Sequence, residues 1–285
     1  MTVIQFILIM VPIVLLLNFL AYYVFIPRDN RKIYDDLDQG GKYAYYIFSK
    51  IFPYLLIICA VYLFVKSQGM IVEYFNIVPY YGLAEYIFLI EGDIVGNFQA
   101  IMLPGITYFS MFIYLIGFPF ILIFTFIVFF STLKIEQLQE YAIGIIIIYM
   151  VAFPFYIFMP VKVTGYSLSG VFPLLYELHP VIDSGLRSVD PYLDNCFPSL
   201  HAALSILAML LIVFRTDLKA LKVMSFVLVL LIQFTIFYLG IHWISDFIAG
   251  TALAFFAYYI STRYRSKIID SCSYILKSGD AMWKK

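Results

Sequence analysis

The sequence predicts an all-α, polytopic helical membrane protein with about seven transmembrane helices, and three observations predict it. Of 285 residues, 64% are hydrophobic, 20% aromatic and 13% charged. Mean hydropathy is +0.95, beyond what a water-soluble domain of this length carries. Apolar runs that can cross a hydrocarbon layer of about 30 Å, about 20 helical residues each, recur along the chain. They fall near 3–26, 49–65, 105–130, 139–160, 199–214, 222–241 and 243–261.

Residues 3–26 are long enough to span and no cation precedes them, so they read as a retained first helix rather than a cleaved leader. The second and fifth runs are short, and the sixth turns into the seventh with almost no connection. Residues 66–104 fit no clean span, because Glu73, Glu85, Glu91 and Asp93 interrupt stretches rich in Tyr and Phe. Surface helices or a re-entrant piece are expected there. No repeat, low-complexity tract or flexible linker divides the chain, which reads as a single integral-membrane domain.

With 18 basic and 18 acidic residues the formal net charge is zero, so nothing argues for a nucleic-acid partner. Cys59, Cys196 and Cys272 are widely separated, with neither a disulfide framework nor the spacing of a zinc site. The cations are segregated: all except Lys66, Lys162 and Arg187 fall in one alternating set of loops, which is therefore expected to be cytoplasmic together with the C-terminus. The N-terminus and the loop at 161–197, which carries Glu177, Asp183, Asp190 and Asp194, are expected outside.

Ionisable groups near span ends are costly, and each is a functional candidate with a partner to be found. His201 lies in Asn195-Cys196-Phe197-Pro198-Ser199-Leu200-His201-Ala202, at the start of the fifth run. His242 and Asp246 lie in Gly240-Ile241-His242-Trp243-Ile244-Ser245-Asp246-Phe247, where the sixth run returns as the seventh. By the charge count all three share the outer face. His242 and Asp246 stand at i and i+4, on one helical face, so the carboxylate can hold a proton on one imidazole nitrogen and leave the other free to attack. His201, from another helix, can protonate a leaving oxygen and later take a proton from an acceptor.

A transferring phosphoryl group also needs its oxygens held by positioned donors and cations. Pro198 suits the first turn of a helix, and Ser199 adds a hydroxyl beside exposed backbone donors. Lys162 and Arg187 are the outer cations expected at the site, with Lys66 read as a span anchor. His179 reads as an ordinary loop residue and Cys196 as a small buried one.

At these residues the sequence resembles the type 2 phosphatidic acid phosphatase superfamily, which shares a Pro-Ser-x-His segment and a downstream His-x-x-x-Asp. The wording Phe-Pro-Ser-Leu-His-Ala followed by Tyr-x-x-x-His-x-x-x-Asp looks closest to the branch containing inositol phosphorylceramide synthases. The resemblance covers about residues 100–260. It implies a metal-independent enzyme with no cofactor and a six-helix catalytic core, in which His242 is the nucleophile, Asp246 its orienter and His201 the acid. The chain then divides into N-terminal spans with an interfacial segment (1–104), the core (105–262) and a basic cytoplasmic tail (263–285). The sequence departs from the family at three places. Thr235-Ile236 stand where Ser-Arg is customary, Leu200 replaces a Gly, and of the Lys-x6-Arg-Pro motif only Met159-Pro160-Val161-Lys162 stands nearby.

The expected function is a lipid phosphatase or phosphotransferase at the outer leaflet of the plasma membrane, with a lipid phosphate as substrate and water or a lipid hydroxyl as acceptor. An inositol-phosphate-like headgroup is the transferase form of this reading. A transporter or proton relay is the competing class, but a relay spreads its ionisable groups through the membrane depth, whereas these cluster at one face. A catalytically dead scaffold is disfavoured because the whole trio is present.

Overall fold

The computed structural model describes the backbone of residues 2–38 and 40–282, and side chains as far as Ser271 apart from Thr2, Tyr34 and Asp38. Cys272 and Lys277 lie outside the described side chains, and Lys284 and Lys285 outside the described residues. The order is α1 (Thr2–Phe25), α2 (Lys32–Asp38), α3 (Lys42–Lys66), α4 (Gln68–Tyr74), α5 (Leu83–Glu91), α6 (Pro104–Phe112) and α7 (Phe118–Ser131). Then follow α8 (Ile135–Phe158), α9 (Thr164–Ser167), α10 (Leu174–Glu177), α11 (Pro180–Arg187), α12 (Leu200–Arg215), α13 (Lys219–Tyr238) and α14 (Ile244–Met282). No strand occurs among the described residues; a single parallel bridge joins Val161 to Asn195.

Among the described residues six helices are long and apolar enough to cross a membrane: Val3–Phe25, Lys42–Lys66, Pro104–Ser131, Ile135–Phe158, Lys219–Tyr238 and Ile244–Ser271. The seventh expected span is the shorter α12, whose 16 residues reach about 24 Å. The second span is not short: α3 starts at Lys42 because the Tyr-rich stretch before 49 continues the helix. The awkward 66–104 segment forms the short helices α4 and α5 and a 3-10 turn at Ile94–Gln99.

The core lies around α12, which is buried on nearly every side and packs against α7, α8, α13 and α14. A helix apolar all round suits such a central position. Small residues allow close approach: a Cβ on Gly144 of α8 would meet Leu207 Cδ2 at 2.8 Å. By contrast only 11% of each N-terminal span is buried, against 61% of Pro104–Ser131. Thus α1 lies along α7 and α11, and α3 along α8, with their other faces presenting apolar side chains outward.

α6 and α7 join through a π turn at Ile113–Gly117. Pro119 lacks the N–H that would bond back to residue 115, and a π turn is one way for a helix to absorb that loss. At the end of α12 remote from His201, Arg215 donates through Nε to Glu140 Oε2 at 2.9 Å and through Nη2 to Oε1. Arg265 pairs there with Glu136, and Lys134 Nζ donates to the Arg215 carbonyl. The basic residues therefore gather at the helix ends opposite the histidines.

Glu140 is buried, so Arg215→Ala strands its carboxylate. Loss of one partner of such a pair costs about 3–5 kcal/mol, discounted here for the partly exposed guanidinium. The thermal midpoint of the detergent-solubilised protein should fall clearly in Arg215→Ala and less in Arg215→Lys; equal midpoints for all three would remove this pair from the determinants of stability.

Candidate active site

The turn between α13 and α14 brings His242 into place. Gly240 has φ of +72°, and its N–H donates to Phe237 O (3.0 Å) while Ile241 N donates to Ile236 O (3.0 Å). This pair of bonds is the Schellman ending, which favours glycine at the left-handed position. A Cβ on Gly240 would in addition meet Phe172 O at 2.4 Å. His242 N then donates to the same Ile236 carbonyl at 3.0 Å.

α14 begins two residues after His242, and Asp246 sits in its first turn. Asp246 Oδ2 accepts from the Trp243 backbone N–H at 3.0 Å, the N3-to-cap half of a capping box. The same oxygen takes His242 Nδ1 at 3.2 Å. A proton fixed on Nδ1 leaves the lone pair on Nε2, and Nε2 faces His201 Nδ1 at 3.1 Å. Asp246, His242 and His201 thus form one hydrogen-bonded line. Asp246 and His242 are buried and His201 partly so.

His201 is presented by the first turn of α12. Ser199 is the N-cap, its Oγ accepting from Ala202 N at 3.2 Å. Pro198 therefore precedes the cap, which corrects its expected place in the first helical turn: the hydroxyl of Ser199 fills the capping position, so the helix starts one residue later at Leu200. Ser199 N donates to the Asp246 carbonyl at 3.1 Å, tying the starts of α12 and α14 together. Gly250 makes that contact possible, since a Cβ there would lie 2.4 Å from Ser199 O. Tyr114, within the π turn, and Phe118, just after it, set their ring centroids 4.6 and 4.7 Å from that of His201.

Residues that sequence reasoning left unassigned hold this arrangement. Glu91, at the end of α5, accepts from Ile244 N (3.0 Å), Ser245 N (2.8 Å) and Ser245 Oγ (2.8 Å). A carboxylate from 153 positions away thus caps the helix that carries Asp246. Tyr156 Oη donates to Pro198 O at 2.9 Å, and Trp243 Nε1 to Lys162 O at 3.0 Å. The signal for Glu91 was an acid inside an apolar stretch; nothing local in the sequence pointed to Tyr156.

Both histidines line a cavity of 1210 Å³ whose wall is mostly apolar and aromatic. Lys162 and Arg187 are not among its lining residues. Lys162 is exposed, beside the bridge to Asn195, and Arg187 donates through Nε to Asp183 at 2.8 Å. His179 stays at the surface as the N-cap of α11. The segment Asp190–Cys196 also lines the cavity. Burial there pushes the Asp194 carboxyl up to about 6, with Asp190 adding to the rise and Lys162 opposing it.

Cys196, His242 and Asp246 bring one sulfur, one nitrogen and one oxygen within 4.8 Å of each other, a set that could meet a metal ion. Each is already engaged: Cys196 Sγ donates to Ile241 O at 3.4 Å, and the other two bond to one another. The arrangement fits a hydrogen-bonded His–Asp pair beside a thiol.

Comparison with known proteins bears on this geometry. No curated protein and no solved structure matches the chain. The family model of the PAP2 superfamily matches residues 97–260, more than half of the 285 residues and the whole stretch from the 3-10 turn to the middle of α14. Phosphatase-type chemistry at a membrane follows from that match, and the chain belongs to the PAP2 superfamily.

Proposed function

We propose that this protein is a lipid phosphatase or phosphotransferase that works through a phosphohistidine on His242. The observation that carries the reading is the line Asp246–His242–His201, with bonds of 3.2 and 3.1 Å, opening on one cavity. Asp246 holds the Nδ1 proton, and the Nε2 lone pair attacks phosphorus. The P–N bond forms as the P–O bond to the leaving group breaks, and the leaving oxygen takes a proton from His201. In the second half His201 receives a proton from water or an alcohol, whose oxygen attacks phosphorus and returns His242 to its starting state. No metal enters either step.

Ser199 is proposed to act by fixing the first turn of α12, whose backbone N–H groups have no partner within the helix and suit phosphate oxygens. The cavity exceeds the roughly 300–1,000 Å³ of ordinary small-molecule pockets, which supports a substrate with a hydrocarbon tail. The Phe197–His201 wording favours transfer to a lipid hydroxyl, with an inositol-phosphate-like headgroup as the cargo. The segregation of cations supports an active site facing outside at the plasma membrane, with the C-terminus in the cytoplasm. Lys162 and Arg187, outside the cavity wall, are proposed to draw the anionic headgroup toward its mouth.

In detergent with EDTA, the protein should release or transfer phosphate from a lipid phosphate. His242→Ala should abolish turnover, and His201→Ala should lower it by about 10²–10⁴ with KM little changed. Turnover surviving in His242→Ala, or lost on EDTA treatment of the parent protein, would contradict the mechanism. Replacing Lys162 and Arg187 together by Gln should reduce kcat/KM a few-fold at low salt, and the difference should fade as salt rises; a salt-independent loss would contradict steering.

A further inference from the structure

We propose that Lys66, the last residue of α3, is the cation that receives the substrate's phosphate in this cavity. The inference rests on the phosphoryl-transfer reading above and supplies what that reading lacks. Lys162 and Arg187, the outer cations expected at the site, stand outside the cavity wall. Lys66 lines the same cavity as His201 and His242, and among the described residues it is the sole Lys or Arg to do so.

Three features place Lys66 beyond the role of a membrane anchor. First, a lysine at a span end ordinarily snorkels to the lipid surface and needs no cavity; Lys66 is exposed but lines one. Second, the end of α3 is connected to the catalytic helices. Gln68, two residues on, donates through Nε2 to Tyr156 O at 2.9 Å, and Tyr156 Oη bonds Pro198 O next to the cap of α12. Third, no ion pair joins Lys66 to an acid among the described residues. The acids of the wall are Glu73, Asp190 and Asp194, and burial pushes the latter two upward, toward their neutral forms. A dianionic phosphate entering such a wall needs a positive partner, and an ammonium on a four-carbon stem is suited to reach it. The N-terminal spans, outside the family match, thereby complete the site.

The test is binding to full-length protein in the His242→Ala background, with short-chain phosphatidic acid and diacylglycerol as probes that differ by the phosphate alone. Lys66→Gln should weaken phosphatidic acid binding by about tenfold to a hundredfold, the range of one charge-assisted hydrogen bond. Lys66→Arg should restore most of it, and diacylglycerol binding should not change. Unchanged phosphatidic acid binding in Lys66→Gln, or an equal loss for both probes, would overturn the assignment. Turnover by protein with His242 intact is measured alongside. If no lipid phosphate is turned over, the enzymatic reading fails while the binding ratio still decides Lys66; turnover with an unaltered ratio removes Lys66 alone.

Discussion

Asp246 is fully buried, and a carboxylate taken from water persists only where donors replace the solvent. Here the partners are the Trp243 backbone N–H and His242 Nδ1, both meeting Oδ2, while Oδ1 has none. The carboxylate therefore does two things at once. It closes the start of α14 and bonds the histidine, so the geometry of the helix end and the orientation of the imidazole are a single constraint. Substituting Asp246 would disturb both.

That constraint explains the surrounding architecture. The turn before α14 has to be tight, which Gly240 permits, and it has to lie close to the start of α12, which Gly250 permits. Glu91 takes the next two N–H groups of α14, so the helix end is occupied by protein carboxylates. The start of α12, where Ser199 Oγ takes the Ala202 N–H, is the helix end proposed to receive the phosphate oxygens. In that proposal the two helix ends divide the labour, one occupied by carboxylates and the other open to an anion. The π turn then sets Tyr114 and Phe118 against His201, limiting the orientations its ring can take.

Much of this was legible in the sequence where the signal is local. Six of the seven apolar runs mark helices long enough to cross a membrane and the other marks the shorter α12, and the i, i+4 spacing of His242 and Asp246 encodes their contact. The cation segregation puts His201 and Arg215 at opposite ends of α12, as the fold does. Signals that depend on distant partners were not legible. Glu91 reads as an interfacial acid until α5 is seen at the start of α14, and Lys66 reads as an anchor until α3 is seen at the cavity. The start of α3 lies before the apolar run because Lys42, Tyr43, Tyr45 and Tyr46 lower the hydropathy of a stretch that is helical all the same. Pro198 stands two positions before the first helical residue, and a proline before a Ser cap and a proline at the first helical residue look alike in sequence.

The covalent role proposed for His242 is open to one direct measurement. Protein mixed with radiolabelled lipid phosphate, quenched in alkali within milliseconds and digested, should yield phosphate on the peptide carrying His242, stable to base and released by acid. The label should appear and decay at rates compatible with turnover. Turnover with no label on His242, or label on another residue, would contradict the account.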